Sequence, residues 1–305
     1  MIIKHQYIFH RNRSLLYPVK IFYLLLLVLF APTLFCYPQS TGNSQGYRFP
    51  YSLSKPDEKY ILPPVLEEIS GIVLLNGHIM ACIQDEEGDL FFYGLKEKRI
   101  LKRVGFGKDA DYEDLALAGD NVYVLRSNGT IYELENYDNE EDIVVNEYKT
   151  RLSKKNNCEG LCYDPKKNSL LIALKGEPEA GEEQDFDGFK AIYTFDIAKK
   201  KVKKKPAYLI DLEQIKEAKK QSGNFRFQPS AIAIHPITDE IYVLASVGKA
   251  IIVMNRAGEL LHYAKLNKWL FVQPEGISFA PDGTLYISNE GDGGNGTIME
   301  FGMVE

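Results

Sequence analysis

The stretch QPEGISFAPDGTLYISNEG, Gln273 to Gly291, sets a glutamate and a glycine at the mouth of an apolar strand, turns at PDG, and ends a second strand on Asn-Glu-Gly. NNCEGLCYDPKKNSLLIALKG, Asn156 to Gly176, repeats the arrangement. Aligned on the residue after the acid, five segments share it: EISGIVL from Glu68, YEDLALA from Tyr112, CEGLCYD from Cys158, PSAIAIH from Pro229 and PEGISFA from Pro274. Gly71, Asp114, Gly160, Ala231 and Gly276 then recur at intervals of 43, 46, 71 and 45 residues. After each segment come a turn and a β-rich second strand (HIMACIQ, NVYVLRS, SLLIALK, EIYVLAS, TLYISNE), then a third (DLFFYGL, TIYELEN, KAIYTFD, KAIIVMN, GTIMEFG). Such a period is the signature of four-stranded propeller blades.

The fold class expected is therefore all-β, a five-bladed propeller. The chain ends after three strands of its fifth unit, so the missing strand must come from the other terminus, and RFPYSLSKPDEKYIL, Arg48 to Leu62, lies where it should. Closure of that kind removes the free sheet edges. A sixth blade hidden in the 71-residue interval is the alternative. The surplus there divides into GEPEAGEEQDFDGF, Gly176 to Phe189, and a helical piece beginning DLEQIKEAKKQSG at Asp211, which favours five.

Composition excludes some functions. The 305 residues are 45% hydrophobic and 12% aromatic, enough to bury a sizeable core. Net charge is −6, but Met1 to Cys36 carries Lys4, Arg11, Arg13 and Lys20 with no acid, leaving 32 bases against 42 acids, or −10, in the rest. Such a body repels phosphate backbones, so no nucleic-acid partner is expected. The basic residues precede IFYLLLLVLFAPTLFC, Ile21 to Cys36, whose 16 apolar residues fall short of the roughly 20 of a membrane-spanning helix. Residues 1–36 read as a signal peptide, or else as an uncleaved signal anchor. The protein is expected to be exported, periplasmic or anchored at the cell membrane, and a monomer. Residues 37–47 read as a linker and 48–305 as one domain. GNSQG, Gly42 to Gly46, spells the hydrolase pattern G-x-S-x-G without the strand and helix a nucleophile elbow needs. Cys158 and Cys162 stand about 13 Å apart on one strand, too far for a disulfide.

Propeller geometry gathers the informative residues on one face of the disc. First-strand entrances bring Ser70, Glu113, Glu159, Ser230 and Glu275; second-strand exits bring Asp85, Arg126, Lys175, Ser246, Asn289 and Glu290. Converging carboxylates need a cation, a base or protonation to persist. Glu113, Glu159 and Glu275 offer hard oxygens suited to calcium or magnesium. Asp85, Arg126, Lys175 and Glu290 are the candidate ligand-binding residues, the two bases either neutralising the glutamates or holding a phosphate or carboxylate. Alternatively the glutamates accept N–H bonds from neighbouring blades and simply pin the ring. The lysine-rich turn AKKKVKKK, Ala198 to Lys205, falls on the opposite face and reads as a solvated hairpin tip. The acids of the first insertion, Glu177 to Asp187, read as a solvated loop, and NEGDGGNG, Asn289 to Gly296, as a glycine-rich turn.

The segments EISGI, YEDLAL, NCEGLCYDP and QPEGISFAPDGTLYISNE resemble those of the SdiA-regulated (YjiK-like) family over roughly Arg48 to Val304. The resemblance implies an exported or membrane-anchored bacterial propeller of five blades, calcium binding and likeness to phytases, with no general activity. The matching residues are Ser70-Gly71, Asp85, Glu113-Asp114, Arg126, Glu159-Gly160, Lys175, Glu275-Gly276 and Glu290; the acidic insertion departs from the pattern. Two functions follow as expectations. One is a binding module holding a divalent cation, a small anionic ligand or a protein partner at the channel face. The other is a calcium-dependent phosphoesterase in which Arg126 and Lys175 grip phosphate. No catalytic residue is assigned.

Overall fold

The structure, a computed structural model, describes residues 46–178, 186–219 and 225–304. Residues 1–36, expected to be a signal peptide or anchor, the GNSQG stretch up to Gln45 and residues 179–185 of the acidic insertion lie outside them. Among the described residues no helix is long and apolar enough to cross a membrane.

Five antiparallel sheets form the blades. Blade one runs through Ile69–Asn76, Ile79–Gln84, Asp89–Gly94 and Arg99–Gly105, from the channel outward. Blade two follows with Tyr112–Ala118, Asn121–Arg126, Ile131–Glu135 and Val144–Tyr148. Blade three has Cys158–Asp164, Ser169–Leu174 and Phe189–Asp196, its outermost position shared by two short strands, Lys201–Val202 and Tyr208–Asp211. Blade four has Gln228–Ile234, Ile241–Val247, Ala250–Met254 and Leu260–Lys265. Blade five has Pro274–Phe279, Leu285–Asn289 and Thr297–Phe301, completed by Glu58–Ile61 from the N-terminal side. That strand pairs Glu58 with Glu300 and Ile61 with Thr297, so the ring closes as its strand count requires.

The long interval holds no sixth blade. One insertion joins the second and third strands of blade three; the other carries a helix, α1 (Leu212–Lys219), between blades three and four. Asp211 caps this helix by accepting the amides of Glu213 and Gln214 at 2.9 and 3.2 Å, and Ile215 is buried beneath it.

Both faces of every blade are covered, which is why the inner strands are almost continuously apolar. Along the second strand of blade one, Met80 and Cys82 enter the cluster shared with blade five, while Ala81 and Ile83 enter the one shared with blade two. The same alternation serves all five interfaces, each with its own cluster. Cys82, Cys158 and Cys162 are buried within these clusters.

The glycine after Ser70, Glu159 and Glu275 is set by space, not by backbone angle. A Cβ on Gly71 would stand 2.7 Å from the Cα of Asp114 in blade two, and one on Gly160 would stand 2.9 Å from the backbone of Ala231 and Ile232 in blade four. One on Gly276 would meet Ser288 Oγ at 2.4 Å and the Ile72 amide of blade one at 3.1 Å. Asp114 occupies the equivalent position in blade two and is 1% exposed; its carboxylate accepts its neighbour Leu115 N at 2.8 Å and Leu161 N of blade three at 2.7 Å. The inter-blade pin expected of the glutamates is made by the aspartate next to one of them.

Gly160→Ala should therefore destabilise the fold by about 1–3 kcal/mol through overpacking against backbone that cannot yield. Gly77→Ala, where nothing lies within 4 Å, should be close to neutral. Denaturant midpoints compare the two, and equal midpoints would contradict the contact-driven reading of the glycines.

Candidate functional site

Each inner strand carries an irregularity at the same place. In blade one Ile69 pairs with Gln84 and Gly71 with Ile83, leaving Ser70 unpaired. Glu113, Glu159, Ser230 and Glu275 are passed over in the same way in blades two to five. A β-bulge re-aims the side chain of its extra residue. Here five bulges turn five side chains to the channel mouth.

All five line one cavity of about 320 Å³. Asp85, Lys175 and Glu290 join them from second-strand exits, and Asp111, Asn157 and Gln273 complete the wall. The last three escaped the sequence reading. Each lies two residues before an entrance acid, at a fixed offset from the bulge. The signal was present in the fixed offset from Glu113, Glu159 and Glu275.

Among the described residues every lining side chain is polar, and six are carboxylates against a single base. Lys175 Nζ sits 3.0 Å from Glu159 Oε1, which also accepts Asn157 Nδ2 at 2.6 Å. Gln273 Nε2 donates to Glu290 and Ser127 Oγ to Asp111. Two buried atoms of the wall have no hydrogen-bond partner among the described residues: Ser70 Oγ, on a residue 4% exposed, and Asp85 Oδ1.

Burial and mutual repulsion favour the protonated form of Asp85, Glu113, Glu159, Glu275 and Glu290. Burial raises Glu113, helped by Glu159 and Asp111, and raises Glu159 against the pull of Lys175. Glu275 is pushed up to about 7 by burial and by Glu290; Glu290 reaches about 7 through burial, Asp85 and Glu68. Asp85 reaches about 6 through burial, Glu68 and Glu86. Lys175 rises as well, because Glu159, Glu275 and Glu113 together outweigh the burial that would lower it.

Arg126 is not part of this wall. Its guanidinium stands 5.9 Å from the Tyr112 ring centroid, with Nη1 3.5 Å from Tyr132 Oη, so aromatic rings of its own blade hold it. The two-base phosphate grip expected of Arg126 and Lys175 is therefore not assembled, and Lys175 is committed to Glu159. The glutamates do come together, as placed by the bulges. Even so, among the described residues no group of three or more His, Cys, Asp or Glu side chains is arranged to hold a metal ion.

The SdiA-regulated family profile matches residues 62–292. No curated protein matches the chain by sequence. Among solved structures, the glutaminyl cyclase of Myxococcus xanthus is 14% identical with a TM-score of 0.53, over 82% of this chain and 96% of its own. The virginiamycin B lyase of Staphylococcus aureus is 14% identical with a TM-score of 0.43, over 80% and 73%. The first likeness concerns the fold alone.

The raised carboxylates carry a pH signature. A buried acid whose folded pKa lies above its unfolded value stabilises the fold below the unfolded pKa, and that contribution is lost as pH rises through the folded one. For Glu275 the window runs from 4.5 to about 7. Glu275→Gln removes the titration, so the stability of the unsubstituted protein relative to the variant should fall by on the order of 2 kcal/mol between pH 5 and pH 8. A stability difference that stays constant across that range would refute the assignment.

Proposed function

The chain belongs to the SdiA-regulated family, and we propose that this member is an exported binding propeller whose channel-mouth cavity takes a small organic cation. The observation that carries the reading is the charge of the wall, six carboxylates to one lysine that is already paired. Ionising them all in one partly enclosed cavity is costly, and a bound cation offsets that repulsion. Protons do so only at lower pH. A cavity of about 320 Å³ is at the small end of those that enclose organic ligands. Export is supported by the basic-then-apolar segment ahead of the domain.

Calcium fits this cavity less well. It calls for six to eight oxygens converging at about 2.3–2.6 Å, and the described carboxylates form no such group. A small anionic ligand, or a phosphoester substrate, fits worse. With Arg126 outside the cavity, an incoming phosphate would meet one committed lysine and a ring of acids.

The test is a melting-temperature panel at pH 8 and constant ionic strength, with spermidine, calcium, phosphate and a phosphomonoester as additives. A ligand at about 100 times its Kd adds about 2.7 kcal/mol to the native state. Spermidine should raise the melting temperature and release protons on binding, and Glu275→Gln should diminish both. Stabilisation by phosphate that Lys175→Met abolishes would overturn the reading.

A further inference from the structure

The wall of the cavity divides by blade. Blades two and three supply Asp111, Glu113, Asn157, Glu159 and Lys175, and here an ammonium group is built into the protein, Lys175 Nζ lying 3.0 Å from Glu159. Blades five and one, adjacent across the closure of the ring, supply Gln273, Glu275, Glu290, Ser70 and Asp85. Among the described residues no base lines this half. Its acids crowd one another, and what eases them is the Gln273 amide donating to Glu290, Ser246 bonding to Glu275, and the charge of Lys175 reaching from the other half.

Two acceptors in this half are orphaned. Ser70 Oγ is buried on a residue 4% exposed, and Asp85 Oδ1 is buried as well; neither has a partner among the described residues. A buried polar atom without a partner is destabilising, and a hydrogen-bond donor in the cavity would relieve it. Ser70 sits at the bulge of blade one, where the irregular register turns its side chain to the channel. Its hydroxyl points to a ligand independently of the surrounding charge.

We propose that Ser70, Asp85 and Glu290 form a subsite for a primary ammonium group, three acceptors for the three N–H donors of one cationic head. The inference rests on the cation-binding reading and sharpens it. Charge alone does not distinguish a primary ammonium from a quaternary one, whereas an orphaned serine hydroxyl and an unpartnered carboxylate oxygen do, because a primary ammonium carries N–H donors for them and a quaternary one carries none. The opposite half already shows the chemistry, since Lys175 is a primary ammonium on a flexible stem seated against Glu159. The ligand class that follows is a small primary amine whose charged end enters on the side of blades five and one.

The test titrates the full chain at pH 8 with propylammonium, tetramethylammonium and calcium by calorimetry, alongside Ser70→Ala, Asp85→Asn and Glu290→Gln. Propylammonium should bind at least about tenfold tighter than tetramethylammonium, which has equal charge and no N–H. Ser70→Ala should remove most of that discrimination, and Asp85→Asn should weaken propylammonium at least about tenfold. Should Asp85→Asn fail to fold, Ser70→Ala, a deletion of one hydroxyl, keeps the question open to measurement. Equal affinity for the two ammonium ions, unchanged by Ser70→Ala, overturns the subsite and leaves the general cation reading standing. Binding of no cation at all overturns both. Calcium binding that Asp85→Asn abolishes assigns the subsite to a metal and overturns the ammonium.

Discussion

The structure depends on how closely five inner strands approach around a channel. At Gly71 and Gly160 the neighbouring blade's backbone already occupies the place of a Cβ, and at Gly276 Ser288 of its own blade does, with Ile72 of the next blade close behind. Packed so closely, the strands cannot run regularly to the face of the disc. Each bulges one residue before the close contact, and the bulged side chain has only the channel mouth to enter. The acid–glycine pair therefore has one cause. Glycine permits the approach, and the residue before it is turned to the mouth.

An electrostatic consequence follows from the backbone. A bulged residue on a propeller's inner strand is held at a narrow, partly buried place whatever its chemistry. Where the sequence puts glutamate there in three blades of five, with aspartate or an amide two residues earlier, repulsion is fixed by the covalent path of the chain. Glu275 at 7% exposure and Glu159 at 4% cannot swing into bulk water to escape it. Their protons, Lys175 and the amides of Asn157 and Gln273 soften the repulsion without removing it.

The ring and its closure were legible in the sequence because a propeller repeats one physical problem per blade. Every blade needs an apolar inner strand, a turn and a covered second strand, so the spacing from Gly71 to Gly276 and the truncated fifth unit together call for five blades and a borrowed strand. The five entrance residues were legible for the same reason, since they share an alignment column. Arg126 was not. It occupies a proper second-strand exit, but its long side chain has a choice, and Tyr112 and Tyr132 on its own blade offer aromatic surface that no spacing rule reveals. Asp111, Asn157 and Gln273 were missed because they precede the strand pattern. Lys200 was read as solvated with its neighbours, yet it lies 2.7 Å from Glu133 and 5.0 Å from the Tyr148 ring centroid.

Glu133 and Lys200 also give the comparison that identifies the working face. On the side of the disc opposite the cavity, blades are joined by buried acids as well, and there each acid is answered. Burial would raise Glu133, but Lys200, Tyr123, Tyr148 and Asn121 outweigh it and hold its carboxyl at about 2. Asp239 is held at about 2 chiefly by Arg256, which also grips the fully buried Asp164 through two nitrogens at 2.8 and 3.0 Å. The same protein, with the same kinds of side chain, thus pairs its carboxylates on one face and leaves them raised and crowded in the cavity on the other. Ion pairs that hold blades together lower an acid's pKa, as those of Glu133 and Asp239 do. Acids raised together around a cavity, with a serine hydroxyl unanswered beside them, do not hold blades together and are better understood as a surface awaiting a cation.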